Sequence, residues 1–340
     1  MTAVTAVTAA PAVAALTDGY GRRARDLRLS LTDRCSLRCS YCLPAEGVTW
    51  LKRSQLLRAD EIVRLAGILV GQGIERVRLT GGEPLVRADV VDIVAGLAAL
   101  TPRPELALTT NGVALARLAG PLAAAGLQRV NISLDTVDRG RYRAVTRRDR
   151  LGDVLAGIDA AVAAGLRPVK LNAVLLRGVN DADAATLLDF AVARGCELRF
   201  IEQMPLGAAG GWSRAALVTA SEVLSLLGRD HELTPLPDRG AAPAARWLVD
   251  GGPAAVGVIA AVTEPFCADC ERLRLTADGQ LRTCLFAGTE TDLRTPLRAG
   301  ADDARLAELM VAAVRAKPAG HGIGRPEFCP PARPMSAIGG

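Results

Sequence analysis

The chain has 340 residues, half of them hydrophobic, enough for one large or two ordinary domains. Its 41 basic and 36 acidic residues leave a net charge of +5, too small a bias to argue for nucleic acid, and no apolar run is long enough to span a membrane. Eight cysteines, grouped as three, then two plus one, with two singletons, exclude the even spread of a secreted disulfide scaffold and point to metal in a reducing compartment, the cytoplasm.

Residues 1–19 are rich in Ala, Thr and Val and carry no Lys or Arg, so they lack the n-region of a signal peptide and read as a disordered tail. Arg22, Arg23 and Arg25 come after the Ala-rich part, which argues against a transit peptide. Leu27 to Thr32 alternates apolar and polar residues and predicts a first strand. Cys35-Ser36-Leu37-Arg38-Cys39-Ser40-Tyr41-Cys42 then lies on the loop leaving its C-terminal end. Three cysteines spaced C-x3-C-x2-C can converge on one metal centre. A [4Fe–4S] cubane ordinarily takes four thiolates, so three leave one iron open to bind and activate a small molecule. A zinc knot borrowing a fourth ligand is the competing reading. Structural zinc uses paired C-x2-4-C elements set well apart, and the packed spacing here favours iron–sulfur.

Ala59-Asp60-Glu61-Ile62 opens an amphipathic helix that ends near Gly71 and Gly73. Further strands are predicted at 76–80, 105–109, 128–134, 168–175 and 197–202, with helices at 88–100, 113–125, 138–164 (one or two) and 182–194. Strands alternating with helices in this way predict an α/β fold with right-handed crossovers, a six-stranded partial (β/α)6 barrel of the TIM-like kind. Thr80, Thr109 and Ser133 close their strands, and Met204 lies just past the last one. In barrels, that end carries the ligand site.

Pro235 to Pro243 reads as a linker from a core at 20–236 to a C-terminal region at 237–325, with short antiparallel strands at 245–249, 256–260, 272–276 and 280–283. Asp278-Gly279 is a hairpin signal, a helix is predicted at 302–316, and 326–340 is a Pro/Gly-rich tail. Cys267, Cys270 and Cys284 form a second set, C-x2-C-x13-C, whose hairpin brings Cys284 back to the pair. A zinc ribbon completed by Cys329, or by His231 or His321, the only histidines, is the alternative here. Cys196 reads as a core thiol. Arg272 and Arg274 share one face of their strand beside these cysteines, and Lys170 and Arg199 interrupt otherwise apolar strands. Buried charges need partners, and several cations converging on one cavity imply a polyanion; phosphate suits the arginine fork. At the end of the tail, Gly339-Gly340 is either a frayed terminus or, lacking any Cβ, a tip able to thread a narrow channel.

C-x3-C-x-aromatic-C resembles the signature of radical S-adenosylmethionine (SAM) enzymes. From about Gly21 to Gly340 the chain resembles more specifically the GTP 3′,8-cyclase family of molybdenum cofactor biosynthesis. The resemblance rests on Leu29 through Pro44, Leu79-Thr80-Gly81-Gly82-Glu83-Pro84, Leu108 through Gly112, Asn131-Ile132-Ser133-Leu134-Asp135, Phe200 through Pro205, Cys267 through Phe286 and the terminal Gly-Gly. It implies a cytoplasmic lyase using SAM and two [4Fe–4S] clusters, the first on Cys35, Cys39 and Cys42, the second on Cys267, Cys270 and Cys284. Tyr41, Gly82, Thr109, Ser133 and Met204 would contact SAM. Arg28, Arg78, Lys170, Arg199, Arg272 and Arg274 would line the GTP site. Arg272, Arg274, Gly339 and Gly340 would support catalysis. A 5′-deoxyadenosyl radical would take hydrogen from the ribose C3′, which then attacks guanine C8. Implied partners are a flavodoxin-like electron donor and, downstream, the cyclic pyranopterin monophosphate synthase; a homodimer is compatible with the sequence but not indicated by it. Ser36 and Glu271 stand where the family often has Asn, and Arg76 where it often has Lys. The rival classes are another radical SAM enzyme with an auxiliary cluster and a zinc-stapled binding protein.

Overall fold

The computed structural model describes residues 15–206, 212–237 and 239–339. Six parallel strands lie side by side in chain order: β1 (Asp26–Ser30), β2 (Arg76–Thr80), β3 (Glu105–Thr110), β4 (Arg129–Ser133), β5 (Val169–Val174) and β6 (Glu197–Ile201). Between them run α1 (Ala59–Gly71), α2 (Val90–Ala98), α3 (Leu115–Ala124), α4 (Arg139–Thr146), α5 (Leu151–Ala163) and α6 (Ala184–Ala193). Period-two alternation splits each strand between two environments. Leu27, Leu29, Val77, Leu79, Val130, Ile132 and Leu198 are fully buried in the hydrophobic core. Each contributes about 1.5–3 kcal/mol relative to an exposed position. The alternate residues, Arg28, Arg78, Thr109, Asn131, Lys170 and Arg199, face one interior cavity. This is the expected partial barrel.

The later strands are β7 (Leu233–Pro235), β8 (Ala245–Val249), β9 (Ala255–Ile259), β10 (Arg272–Leu275), β11 (Gln280–Arg282) and β12 (Thr291–Asp292), with α7 (Ala220–Leu227), α8 (Arg294–Arg298), α9 (Asp303–Arg315) and α10 (Met335–Ile338). Within each triplet, β7–β9 and β10–β12, pairing is antiparallel, as expected. The triplets attach to opposite edges of the barrel, with β9 parallel to β6 and β10 parallel to β1, giving one twelve-stranded sheet. A partial barrel leaves two unpaired edges, and covering them satisfies their backbone groups. The stretch 235–243, expected as a linker, is instead the connection between the paired β7 and β8.

Strand direction places the chemistry. We call the C-terminal ends of the parallel strands the top. β9 ends at the top and β10 starts at the bottom, so residues 260–271, which carry Cys267 and Cys270, run between the two ends. Glu202, buried just past β6, anchors the start of this crossing by accepting from Val262 N at 2.8 Å and Thr263 N at 2.9 Å. Residues 1–14 of the expected disordered tail lie outside the described residues. Residues 15–19, expected as part of it, are folded: Leu16 is buried, and Asp18 pairs with Arg22 at 2.7 Å.

Candidate active site

The barrel encloses a cavity of about 730 Å³. Its wall includes all six cysteines of the two sets together with Tyr41, Gly82, Thr109, Ser133 and Met204, and the cations Arg28, Arg78, Lys170, Arg199, Arg272 and Arg274. Positions spread over some 250 residues of sequence therefore meet because alternate residues of neighbouring parallel strands point the same way.

At the top, the loop with Cys35, Cys39 and Cys42 leaves β1. Arg38 donates to Cys35 O at 2.7 Å, and Arg147 Nη1 reaches from beyond α4 to Arg38 O and Leu43 O, each at 2.9 Å. Gly81 and Gly82 lie against this loop so tightly that a Cβ on Gly82 would fall 2.4 Å from the carbonyl oxygens of Asp33 and Arg34, and Gly81 has φ +137°. Only glycine permits that approach. The buried Glu83 beside them accepts from Asn111 N at 2.6 Å and Thr110 Oγ1 at 2.7 Å, which fixes the end of β3 against the same loop. Asn111 Nδ2 then reaches Ser36 Oγ at 3.1 Å and Cys35 Sγ at 3.8 Å. Tyr41 donates to Asp135 at 2.9 Å. Burial, with Asp135 and the neighbouring thiols adding to it, pushes Cys39 well up and Cys42 up to about 12. Burial lifts Asp135 itself to about 6.

The middle is cationic. Burial and mutual repulsion bring Arg28, Arg78 and Arg272 down to about 10, Arg274 to about 9 and Lys170 to about 8. Glu197 partly offsets them, at 2.7 Å from Arg199 and 4.0 Å from Lys170, and Asp26 lies 3.8 Å from Arg28. The balance is incomplete. Arg28 Nε, Arg78 Nε and Nη1, and Arg129 Nε are buried with no hydrogen-bond partner among the described residues. An unpaired buried guanidinium donor costs on the order of 1–3 kcal/mol, a cost that an anionic ligand would remove.

At the bottom, Cys284 follows β11, which runs antiparallel to β10 and so returns toward Cys267 and Cys270. Burial would raise the Cys270 thiol, but Lys317, the backbone N–H of Arg272 and the Arg272 and Arg22 charges together hold it below the ordinary value. The tail packs above this set. Ile338 is fully buried against Leu206 and Phe286, Ser30 Oγ donates to Ile338 O at 3.0 Å, and the Arg274 guanidinium donates to Gly339 O. Gly339 has φ +92°, and a Cβ there would lie 1.9 Å from Ser30 Oγ. So the tip threads a channel only glycine fits. Gly340 lies outside the described residues.

Each set offers three thiols facing one cavity, a donor set that suits a cubane with one open iron. Of the three candidate fourth ligands for zinc, Cys329 is exposed and His231 pairs with Asp250 at 2.9 Å, while His321 lines the same cavity as the lower thiols with its Nδ1 accepting from Ile323 N at 3.0 Å. Cys196 is a buried core thiol, as expected. Three residues of the site were not singled out in the sequence: Arg129 and Asn172 on the cavity wall, and Lys317 beneath Cys270. Strand alternation alone signalled the first two. The two unusual residues Arg76 and Glu271 contact each other, at 2.7 Å.

A family model described as Radical SAM superfamily matches residues 29–191, and one described as Molybdenum Cofactor Synthesis C matches residues 196–323. The "GTP 3′,8-cyclase" of Streptomyces coelicolor is 58% identical over 328 residues, 96% of each chain. The "GTP 3′,8-cyclase 2" of Mycobacterium bovis is 55% identical over 97% of this chain and 93% of its own. In fold alone, the crystal structure of Streptococcus suis SuiB bound to S-adenosylmethionine aligns with a TM-score of 0.58 at 14% identity, covering 87% of this chain and 67% of that one. With a cavity that has a three-thiol set at each end and with relatives this similar along nearly their whole length, the chain belongs to the GTP 3′,8-cyclase family of the radical SAM superfamily.

Proposed function

We propose that this chain converts GTP to (8S)-3′,8-cyclo-7,8-dihydroguanosine 5′-triphosphate, the first step of molybdenum cofactor biosynthesis. The observation that carries the reading is the cavity itself, with three thiols at the top, three at the bottom and, between them, buried guanidinium N–H groups that have no hydrogen-bond partner among the described residues. Cys35, Cys39 and Cys42 would hold a [4Fe–4S] cluster that supplies the electron for reductive cleavage of SAM. Tyr41, Gly82, Thr109, Ser133 and Met204 line the adjoining wall and would seat SAM against it. Cys267, Cys270 and Cys284 would hold a second [4Fe–4S] cluster facing guanine.

Arg28, Arg78, Lys170 and Arg199 bind the triphosphate, for which their clustered charge and the open donors of Arg28 and Arg78 are suited. Arg272 and Arg274 reach from β10, between the lower thiols and the phosphate site. Phe266 packs on the Arg272 guanidinium at 4.8 Å, and Gly339 O orients that of Arg274. With Gly340, this tip would position the arginines and keep water from the reacting carbons. A flavodoxin-like one-electron donor would reduce the upper cluster, and the cyclic pyranopterin monophosphate synthase would take the product. The test is an anaerobic incubation of iron-reconstituted protein with GTP, SAM and reductant, read by mass spectrometry. The cyclised triphosphate and 5′-deoxyadenosine should appear together. Protein loaded with iron and sulfide that forms neither would overturn the reading.

A further inference from the structure

Lys317, at the end of α9, is only 5% exposed. Lysine is almost never buried so deeply without an anionic partner. No carboxylate lies within 4.0 Å of its ammonium among the described residues, and Asp18, the acid on that side, is taken by Arg22 at 2.7 Å. The ammonium instead meets Cys270 O at 2.6 Å, Arg272 O at 3.1 Å and Cys270 Sγ at 3.7 Å. Its three N–H donors are thereby directed at two carbonyls and one cysteine sulfur. Arg22 braces the same corner, donating to Cys267 O at 2.6 Å, Pro318 O at 2.6 Å and Ala319 O at 2.7 Å. The other charged groups facing this corner are Arg272 and, across the set, Cys284.

Two carbonyl dipoles do not neutralise a full buried charge. The missing anion is the thiolate-ligated cluster itself. We infer that Lys317 is a positioning residue that raises the reduction potential of the lower cluster, through its charge and its N–H···S contact to Cys270. The inference rests on the two-cluster reading above. The physics is direct: reduction adds an electron, a nearby cation stabilises the more negative state, and a hydrogen bond to a ligating sulfur acts in the same direction. At the upper set the side-chain donors that reach the thiols are neutral, Asn111 at 3.8 Å from Cys35 Sγ and the Tyr41 hydroxyl at Cys39. The lower cluster is therefore the easier of the two to reduce.

The test uses full-length protein with Cys35, Cys39 and Cys42 all changed to Ala, so that only the lower cluster forms. Its midpoint is measured by dithionite titration followed by electron paramagnetic resonance. Against this background Lys317→Met and Lys317→Gln should both shift the midpoint down, with altered g-values, while Lys317→Arg stays close to the parent. Glutamine keeps a donor and drops the charge, so it serves where methionine prevents loading. An unchanged midpoint in either neutral variant at full iron content would make Lys317 a structural strut and overturn the inference. If the background with Lys317 intact folds but takes up no iron–sulfur cluster, the two-cluster reading falls and the inference with it.

Discussion

At the upper end of the cavity the three thiols come from eight consecutive residues, and the charges acting on them are the buried carboxylates Glu83 and Asp135, offset at Cys35 by the half-buried Arg38. At the lower end they come from a crossing segment and a hairpin, and the nearest charges are Lys317, Arg22 and Arg272. With three thiols each, both sets would leave one iron of a cubane open. With the carboxylates outweighing Arg38, the upper setting would disfavour adding an electron and suit a strong reductant, as cleavage of a sulfonium requires. The cationic setting suits a cluster that binds a ligand beside phosphates. Equal ligand counts would thus carry different chemistry, because second partners rather than ligands set the charge around each site.

The largest effects should separate the ends outright. Cys42→Ala is expected to abolish 5′-deoxyadenosine formation. Cys284→Ala should abolish cyclised product while some uncoupled SAM cleavage persists. Mass spectrometry of both products decides it, and full cyclase turnover in Cys284→Ala would reduce the lower set to a structural role.

Gly339→Ala comes next. It adds backbone strain of about 1–3 kcal/mol at a positive φ. It also places a methyl 1.9 Å from Ser30 Oγ. The tip should leave its channel, with turnover falling about 10-fold or more while iron content and fold stay intact. Deleting 339–340 should do the same. Carboxypeptidase sensitivity of the terminus reports the release, and normal turnover after deletion would show a passive end.

Lys170→Ala should weaken GTP binding about 10- to 100-fold, the loss of one charged hydrogen bond of roughly 1.5–3 kcal/mol, with little change in guanosine binding. Burial and then Arg199 hold this lysine down to about 8. Phosphate favours its protonated form, so above pH 8 binding takes up a proton and affinity falls as pH rises; below pH 8 this dependence disappears. Calorimetry in buffers of different ionisation enthalpy measures the uptake. Equal losses for GTP and guanosine in the mutant would refute the phosphate contact.

The smallest expected effect concerns Arg76 and Glu271, whose side chains are 35% and 23% exposed. A partly solvated pair is worth under about 1 kcal/mol. Glu271→Gln should free Arg76 toward the cavity and tighten GTP binding less than about 5-fold, a gain cancelled by Arg76→Ala. A double-mutant cycle of GTP affinities would show whether the two are coupled at all.

The six core strands, their helices, both cysteine sets and the cations on β5, β6 and β10 were legible in the sequence, because period-two alternation and cysteine spacing are local patterns, whereas Arg28 on β1 and Arg78 on β2 came only from the family resemblance. Even α7, left unassigned, carried its own signal: Thr219 and Glu222 form a capping box, with Thr219 N donating to Glu222 at 2.8 Å and Glu222 N to Thr219 Oγ1 at 3.3 Å. The register of β9 on β6 and β10 on β1 was not legible, since short strands pair with whichever edge the rest of the fold leaves open. That choice set the two cysteine groups at opposite ends of one cavity. It also placed Lys317 under Cys270, Glu271 against Arg76 and Gly339 on Arg274. These contacts join residues far apart in the chain, and their energies depend on burial, which exists only once the barrel has closed around them.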